Sequence, residues 1–225
     1  MKIPLSRRLM ACAERIAPGD TVADVGCDHG YLGIYLLKQE IAQKVIAADI
    51  HKGPLRSAYF NAGKYGVSDR MSFCLSDGVK EIPRNFNTLV CAGMGADTMI
   101  SILTDAPWLK DAKYRLVLQC QSKTPSLRRY LSENGWYIAE ESALRDGRFL
   151  YTVMEAVWAP EQPRLTVGQW YIPPALQKST HPEAAEYILR TLEGLRMELS
   201  HQENPEKKQA LEELEITLSA DKELS

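Results

Sequence analysis

A chain of 225 residues with a formal net charge of −2 has room for one large α/β unit and a small appendage. Its residues are 45% apolar and 25% charged, proportions that support a packed core and exclude gross disorder. The near-neutral balance excludes a polycation that binds nucleic acid over its whole surface, while leaving room for a local basic patch.

In chain order, Leu9, Cys12, Ala13 and Ile16 are spaced three and four apart, which predicts a helix over Ser6–Ile16 headed by Arg7 and Arg8. Pro18-Gly19-Asp20 is a turn. The pattern then predicts a strand at Thr21–Val25, a glycine loop and a helix at Tyr31–Lys38. The same alternation follows: strand Lys44–Asp49, helix Pro54–Tyr65 closed by Gly66, strand Met71–Leu75, strand Thr88–Ala92, helix Ala96–Leu103, strand Arg115–Gln119 and helix Pro125–Asn134. Strands alternating with helices imply right-handed crossovers and a doubly wound, largely parallel sheet. After Gly135 two strand-like runs, Trp136–Leu144 and Phe149–Trp158, flank Asp146-Gly147, a hairpin signal that predicts an antiparallel end to the sheet. Residues 159–163 read as a linker. Beyond it, Ile188, Leu192, Leu195 and Leu199, then Leu211, Leu214 and Leu218, predict two heptad-like helices broken at Asn204-Pro205. The expected units are therefore 1–160, an α/β domain, and 161–225, a linker with a C-terminal helical hairpin.

Cys12, Cys27, Cys74, Cys91 and Cys120 are odd in number, scattered and without a CxxC pair. They predict reduced, mostly buried thiols and neither a disulfide framework nor a metal site. Residues 1–8 lack the apolar core of a leader, and no apolar run approaches the ~20 residues that span a bilayer. Together these place the chain in the cytoplasm, away from membranes.

Chemistry is concentrated at the predicted strand tips. Asp24-Val25-Gly26-Cys27-Asp28-His29-Gly30 gives the frame Asp-x-Gly-x-x-x-Gly, in which glycine lets backbone approach a ligand that helix N-terminal amides then face. The dinucleotide pattern GxGxxG is absent because Asp28 stands at its second glycine. A carboxylate there repels a diphosphate and tolerates an amino-acid moiety beside a sulfonium. A tight turn without any ligand is the alternative. Asp49, with Ile50 beside it, lies about 20 residues further on, where an acid accepts from two ribose hydroxyls; the alternative is a cap for the following helix. Asp77-Gly78 suits the exocyclic amine and a ring nitrogen of adenine, or is an ordinary Asp-Gly turn. Ala92-Gly93-Met94-Gly95 ends the fourth strand, its glycines allowing a flat substrate close and Met94 lining the cleft or simply packing. The Asn-Pro-Pro-Tyr signature of exocyclic amine methylation is missing, which leaves a ring nitrogen or another nucleophile.

With these motifs the chain resembles the bacterial tRNA (adenine-22, ring nitrogen 1) methyltransferases. The resemblance rests on Leu5-Ser6-Arg7-Arg8-Leu9, on residues 23–32 with their Asp28-His29-x-Tyr31-Leu32 string, on Asp77-Gly78, residues 92–95, Leu118-Gln119 and the C-terminal hairpin. It implies a Rossmann-like methyltransferase sheet with an antiparallel terminal hairpin, S-adenosyl-L-methionine as methyl donor, tRNA as partner, no metal, and a monomer or weak homodimer. The donor would be held by Asp24, Gly26, Gly30, Asp49, Ile50, Asp77, Gly78, Ala92, Gly93 and Met94. Asp28 is the candidate catalytic carboxylate, with His29 and Tyr31 positioning or stacking the base unless they are structural. Arg7, Arg8, Lys123 and Arg128, with Arg129, are candidates for phosphate contact; a solvated helix face is the alternative for those after 120. The family commonly has Gln-Pro-Asn where this chain has Gln119-Cys120-Gln121-Ser122, so the target nucleotide stays open. A small-molecule methyltransferase and a non-catalytic RNA-binding module of the same fold remain as competing classes.

Overall fold

The computed structural model describes residues 3–223, with side chains to residue 219. Met1 and Lys2, which begin the stretch read for a leader, and residues 224–225 lie outside the described residues. The elements run α1 (Arg7–Ala13), β1 (Asp20–Val25), α2 (Tyr31–Lys38), β2 (Ala42–Asp49), α3 (Lys52–Tyr65), β3 (Met71–Leu75), β4 (Thr88–Met94), α4 (Ala96–Thr104), β5 (Arg115–Cys120), α5 (Thr124–Glu133), β6 (Trp136–Asp146) and β7 (Phe149–Trp158). The seven strands form one sheet in the order β3-β2-β1-β4-β5-β7-β6. β1 to β5 are parallel, and β7 and β6 close the sheet antiparallel. This is the doubly wound sheet with a terminal hairpin expected from the sequence.

Local chemistry sets the element ends. Ser6 caps α1, its hydroxyl accepting from the Leu9 amide at 3.4 Å. The helix stops short of Ile16 because Arg15 and Ile16 donate to Cys12 and Ala13, tightening the last turn. Gly66 ends α3 in the left-handed conformation. In the terminal hairpin the two turn residues are Gly147 and Arg148, with Gly147 at φ 60°.

One face of the sheet packs α4 and α5 over residues such as Val25, Leu89 and Leu116; the other packs α1, α2 and α3 over Val22, Val45 and Val90. At the amino ends of the strands, buried Asp20 accepts from Arg115 (2.7 Å), Thr88 (2.7 Å), Asn87 (2.6 Å) and the Ala17 amide (3.1 Å). That clamp ties β1, β4 and β5 together at the edge away from the ligand side.

After residue 160 come α6 (Val167–Tyr171), α7 (Pro174–Gln177), α8 (Pro182–His201) and α9 (Pro205–Glu223). The two long helices match the heptad-like runs, and Asn204 caps α9 by accepting from the Lys207 amide at 3.0 Å. The two short ones were not predicted. Arg128 on α5 donates to the carbonyls of Trp170 (2.8 Å) and Tyr171 (2.9 Å), which fastens this segment to the sheet domain. No described helix is long and apolar enough to cross a membrane. The five cysteines are free thiols, four of them buried.

Candidate active site

The chain reverses direction across the sheet between β1 and β4, so their carboxyl ends diverge and open a crevice. Two depressions occupy it. The first is lined by Arg8, Leu9, Asp24, Cys27, Asp28, His29, Tyr31, Ala92, Gly93 and Gln121, among others, and the second by Asp49, Ile50, Ser76, Asp77, Gly78, Met94, Asp97 and Thr98. Gly26 belongs to both. A Cβ at Gly26 would lie 2.3 Å from the Met94 methyl, so Met94 crosses directly over this glycine. The cleft is thus one groove with Gly26 and Met94 at its waist.

β1 carries two aspartates four residues apart, hence on the same face of the strand. Asp20 has four donors. Asp24 is just as buried, at 4% exposure, yet its Oδ2 has no partner. Burial, and then repulsion from Asp49, push its carboxyl up to about 7. An ion in this setting lacks its counterpart, and the wall it lines is the groove itself. Desolvation, and then the negative charges of Asp24 and Asp49, likewise hold the Cys27 thiol protonated.

The loop after β1 is set by backbone geometry. The Gly26 and Cys27 amides both donate to the Ala48 carbonyl, at 2.8 and 3.0 Å, and Gly26, Asp28 and Gly30 all have positive φ. Asp28 therefore sits on the outside of a tight turn with its side chain 74% exposed, its Oδ1 3.7 Å from His29 Nε2. α2 starts without a side-chain cap, so its first amides remain available beside Tyr31. The His29 and Tyr31 rings are 5.9 Å apart. On the β4 side, the Gly93 amide donates to Gln119 Oε1 at 3.1 Å, and Arg8 Nη1 lies 2.9 Å from where a Gly93 Cβ would be. Arg8 also pairs with Asp146 of the terminal hairpin at 3.4 Å.

In the second depression Asp49 accepts from the His51 amide (2.9 Å), Ile50 is 56% exposed, and Asp77 pairs with Lys80 (2.6 Å). Asp24, Gly26, Asp28, His29, Tyr31, Ala92, Gly93 and Arg8 thus gather in one half of the groove, and Asp49, Ile50, Asp77, Gly78 and Met94 in the other.

Some expected site residues lie elsewhere. Gly30 is buried and faces α3: a Cβ there would meet Ala58 at 2.8 Å, so helix packing by itself requires glycine at this position. Arg128 is corrected outright. It is fully buried against Glu141 (2.6 Å), Tyr187 and the α6 carbonyls, with no surface to offer a phosphate. Arg7 lies outside the groove beside Glu183 (3.7 Å), Lys123 pairs with Asp97 (2.7 Å), and Arg129 with Glu133 and Glu206. Gln119 and Gln121, read from sequence as part of a departure from the family pattern near the target base, were given no role there; Gln119 holds the Gly93 amide and Gln121 lines the first depression. A glutamine inside the apolar strand Arg115–Cys120 was the available signal for Gln119, since a fully buried amide demands partners.

The residues present fit an adenosyl donor whose amino-acid end carries an ammonium beside a sulfonium: an unpartnered buried carboxylate at Asp24, a waist kept open by Gly26, and an acid at the tip of β2. Among the described residues no group of three His, Cys, Asp or Glu side chains is arranged to hold a metal ion.

The family model described as a methyltransferase domain matches residues 5–154. The chain is 31% identical over 156 residues to the tRNA (adenine(22)-N(1))-methyltransferase of Bacillus subtilis, covering 69% of this chain and 66% of that one. It is 35% identical over 136 residues to MG248 of Mycoplasma genitalium, covering 59% and 60%. These alignments thus span just under two thirds of each relative's length. Among solved structures, Sp1610 of Streptococcus pneumoniae in complex with S-adenosyl-L-methionine superimposes with a TM-score of 0.82 at 27% identity, over 93% of this chain and 99% of that one.

Proposed function

The chain belongs to the bacterial tRNA (adenine-22, ring nitrogen 1) methyltransferase family of class I S-adenosylmethionine-dependent enzymes, and from that membership we propose that it methylates ring nitrogen 1 of adenine 22 in tRNA, in the cytoplasm. The observation that carries this reading is the divided groove, with an unpartnered buried Asp24 on one side of the Gly26–Met94 waist and the Asp49 and Asp77 tips on the other. When bound, S-adenosyl-L-methionine supplies an electrophilic methyl on a sulfonium. Asp49 would accept from its ribose hydroxyls, Asp77 from the adenine amine, exposed Ile50 would cover the adenine face, and Asp24 would meet the ammonium of the amino-acid end.

The target nitrogen has an in-plane lone pair, so no strong general base is required and alignment with electrostatics does the work. The attacked base becomes cationic. Asp28, at the lip of the base-side half, would face charge that develops only as the bond forms, which raises turnover more than affinity. His29 and Tyr31 offer ring faces beside it. The pairing edge of the base is hidden in a duplex, so the target must be unpaired or extruded into the groove.

The direct test is incubation of total tRNA with the protein and labelled donor, followed by mass spectrometric mapping. N1-methyladenosine at position 22 is expected. Donor binding with no label entering tRNA would replace this reading with a small-molecule methyltransferase, and no donor binding at all with a non-catalytic module.

Asp24 makes the first step depend on pH. Its carboxyl titrates near 7 in the free protein and must be ionised to meet a cation. Donor affinity is expected to be flat above pH 8 and to fall by up to about tenfold per unit below 7. The sign for folding is opposite. A raised pKa stabilises the fold below the unfolded value near 4, and that contribution is lost as pH rises through 7. Asp24→Asn should therefore raise the melting temperature of the ligand-free protein at pH 8 while weakening donor binding and flattening its pH profile. Calorimetric titration at pH 6, 7 and 8 decides; a wild-type affinity with no pH dependence removes Asp24 from the donor site.

A further inference from the structure

The cations expected to bind phosphate each have a partner. Arg7 and Arg8 pair with Glu183 and Asp146, Lys123 with Asp97, and Arg128 is buried. The terminal hairpin offers something different. β5 pairs with β7 only from Arg115↔Val157 to Leu118↔Met154, whereas β6 and β7 stay paired out to Asp146↔Phe149. Because β7 runs antiparallel to β5, and β5 continues two residues past its last pair to Cys120, the residues from Tyr151 back to Phe149 project past the carboxyl edge of the sheet, by roughly 10 Å at about 3.3 Å per residue. The groove opens on that edge.

The projecting end is tied to the groove. Asp146, its last β6 residue, pairs with Arg8, and Arg8 lines the base-side half next to Gly93. Beyond this anchor the tip carries Arg148 and Phe149. The Arg148 guanidinium lies 4.9 Å from the Phe149 ring centroid, and Tyr151 follows with its ring 6.0 Å away. Phe149 is 51% exposed, and among the described residues no carboxylate pairs with Arg148. A two-residue turn needs neither side chain for its geometry, since Gly147 alone supplies the positive φ. A half-exposed aromatic ring with a cation over it adds little to packing. It is the usual construction for receiving an unpaired base, whose face stacks on the ring while the cation meets its phosphate.

We propose that the β6–β7 tip is an RNA-contact element: Phe149 stacks an unpaired nucleobase next to the methylated adenine, and Arg148 neutralises the phosphate joining the two. This rests on the tRNA reading and adds the footprint of the substrate on the enzyme. The target adenine must leave its stack to enter the groove, and its neighbour then loses a stacking partner that Phe149 replaces. The hairpin's anchor through Arg8 keeps that surface in register with the base-side half of the groove.

The test uses the full chain and a transcribed tRNA with adenine at position 22. Phe149→Ala should raise the RNA dissociation constant and the KM for tRNA about tenfold, a stacking loss of about 1.4 kcal/mol. Phe149→Trp should restore both, which a merely structural role would not predict. Arg148→Ala should reduce the slope of log affinity against log salt by about one. The donor dissociation constant and melting temperature should stay at wild-type values in all three, the tip being exposed. RNA affinity and KM unchanged in both alanine variants, with wild-type protein methylating the transcript, would overturn this assignment alone. Wild-type protein that neither binds nor methylates the transcript would overturn it together with the tRNA reading.

Discussion

Asp28→Asn is expected to lower kcat by about 10²–10³-fold while leaving the donor dissociation constant unchanged, the cost of removing one preorganised electrostatic contact from a transition state. The reason lies in where the backbone puts this side chain. The tight turn after β1 holds Asp28 at φ 50° on the outside of the loop, with its side chain 74% exposed at the groove and 3.7 Å from His29. In the free protein its charge is solvated and costs little. On the proposed reading, a base filling the groove would displace water and leave the same carboxylate facing a ring acquiring positive charge, where a fixed ion is worth far more than in water. Asparagine keeps shape and loses the charge, so the deficit should appear in single-turnover methyl transfer and hardly in binding. Asp49→Ala should behave inversely, weakening donor binding and leaving transfer at saturating donor nearly intact. The pair of measurements separates the roles: unchanged turnover in Asp28→Asn removes it from the chemistry, and an unaltered donor affinity in Asp49→Ala removes the ribose assignment.

The second large effect concerns stability. Arg128→Met should destabilise the fold by about 3–5 kcal/mol, because it leaves the Glu141 carboxylate buried without its counter-ion. Both side chains are completely buried. The guanidinium bridges elements that are distant in sequence: Glu141 on β6 at 2.6 Å, the Trp170 and Tyr171 carbonyls after the linker, and the Tyr187 hydroxyl on α8 at 3.1 Å. The loss therefore has two parts, an unpaired ion in the sheet domain and an undocked helical tail. For a chain of this size the melting temperature should fall by roughly 6–20 °C. Protease cleavage should increase between α6 and α8 before the sheet domain is lost. Arg128→Met combined with Glu141→Leu should recover much of the deficit by removing both charges, while leaving the α6 carbonyls without their donor. A single variant as stable as wild type would show that the ion pair forms only weakly in solution.

The order of elements was legible in the residues because its signals are local. Alternating strand and helix periods, Gly66 closing α3 and Asn204-Pro205 starting α9 act within a few residues of themselves. So do the acids and glycines at the strand tips, since a parallel sheet necessarily carries successive tips to one edge. That is why Asp24, Gly26, Asp49, Asp77 and Gly93 were nominated from sequence and lie along one groove. The chemistry of a nucleoside site is written in which residue follows each strand, and topology does the rest.

Tertiary structure alone decided which of two similar residues does what. Asp20 and Asp24 differ little as letters on one strand; the first found Arg115, 95 positions away, and the second found nothing. Arg128 read as a surface cation on an amphipathic helix until Glu141, the short helix α6 and Tyr187 of α8 enclosed it, and α6 and α7 were not legible at all. Those helices are too short to carry a period and exist through the contacts that hold them. Gly30 looked like part of a ligand loop and serves α3. The partner of a buried charge is selected by the fold and not by neighbours in the chain. What the sequence determined was the set of groups at the groove, and what the fold determined was which of them remained unpaired.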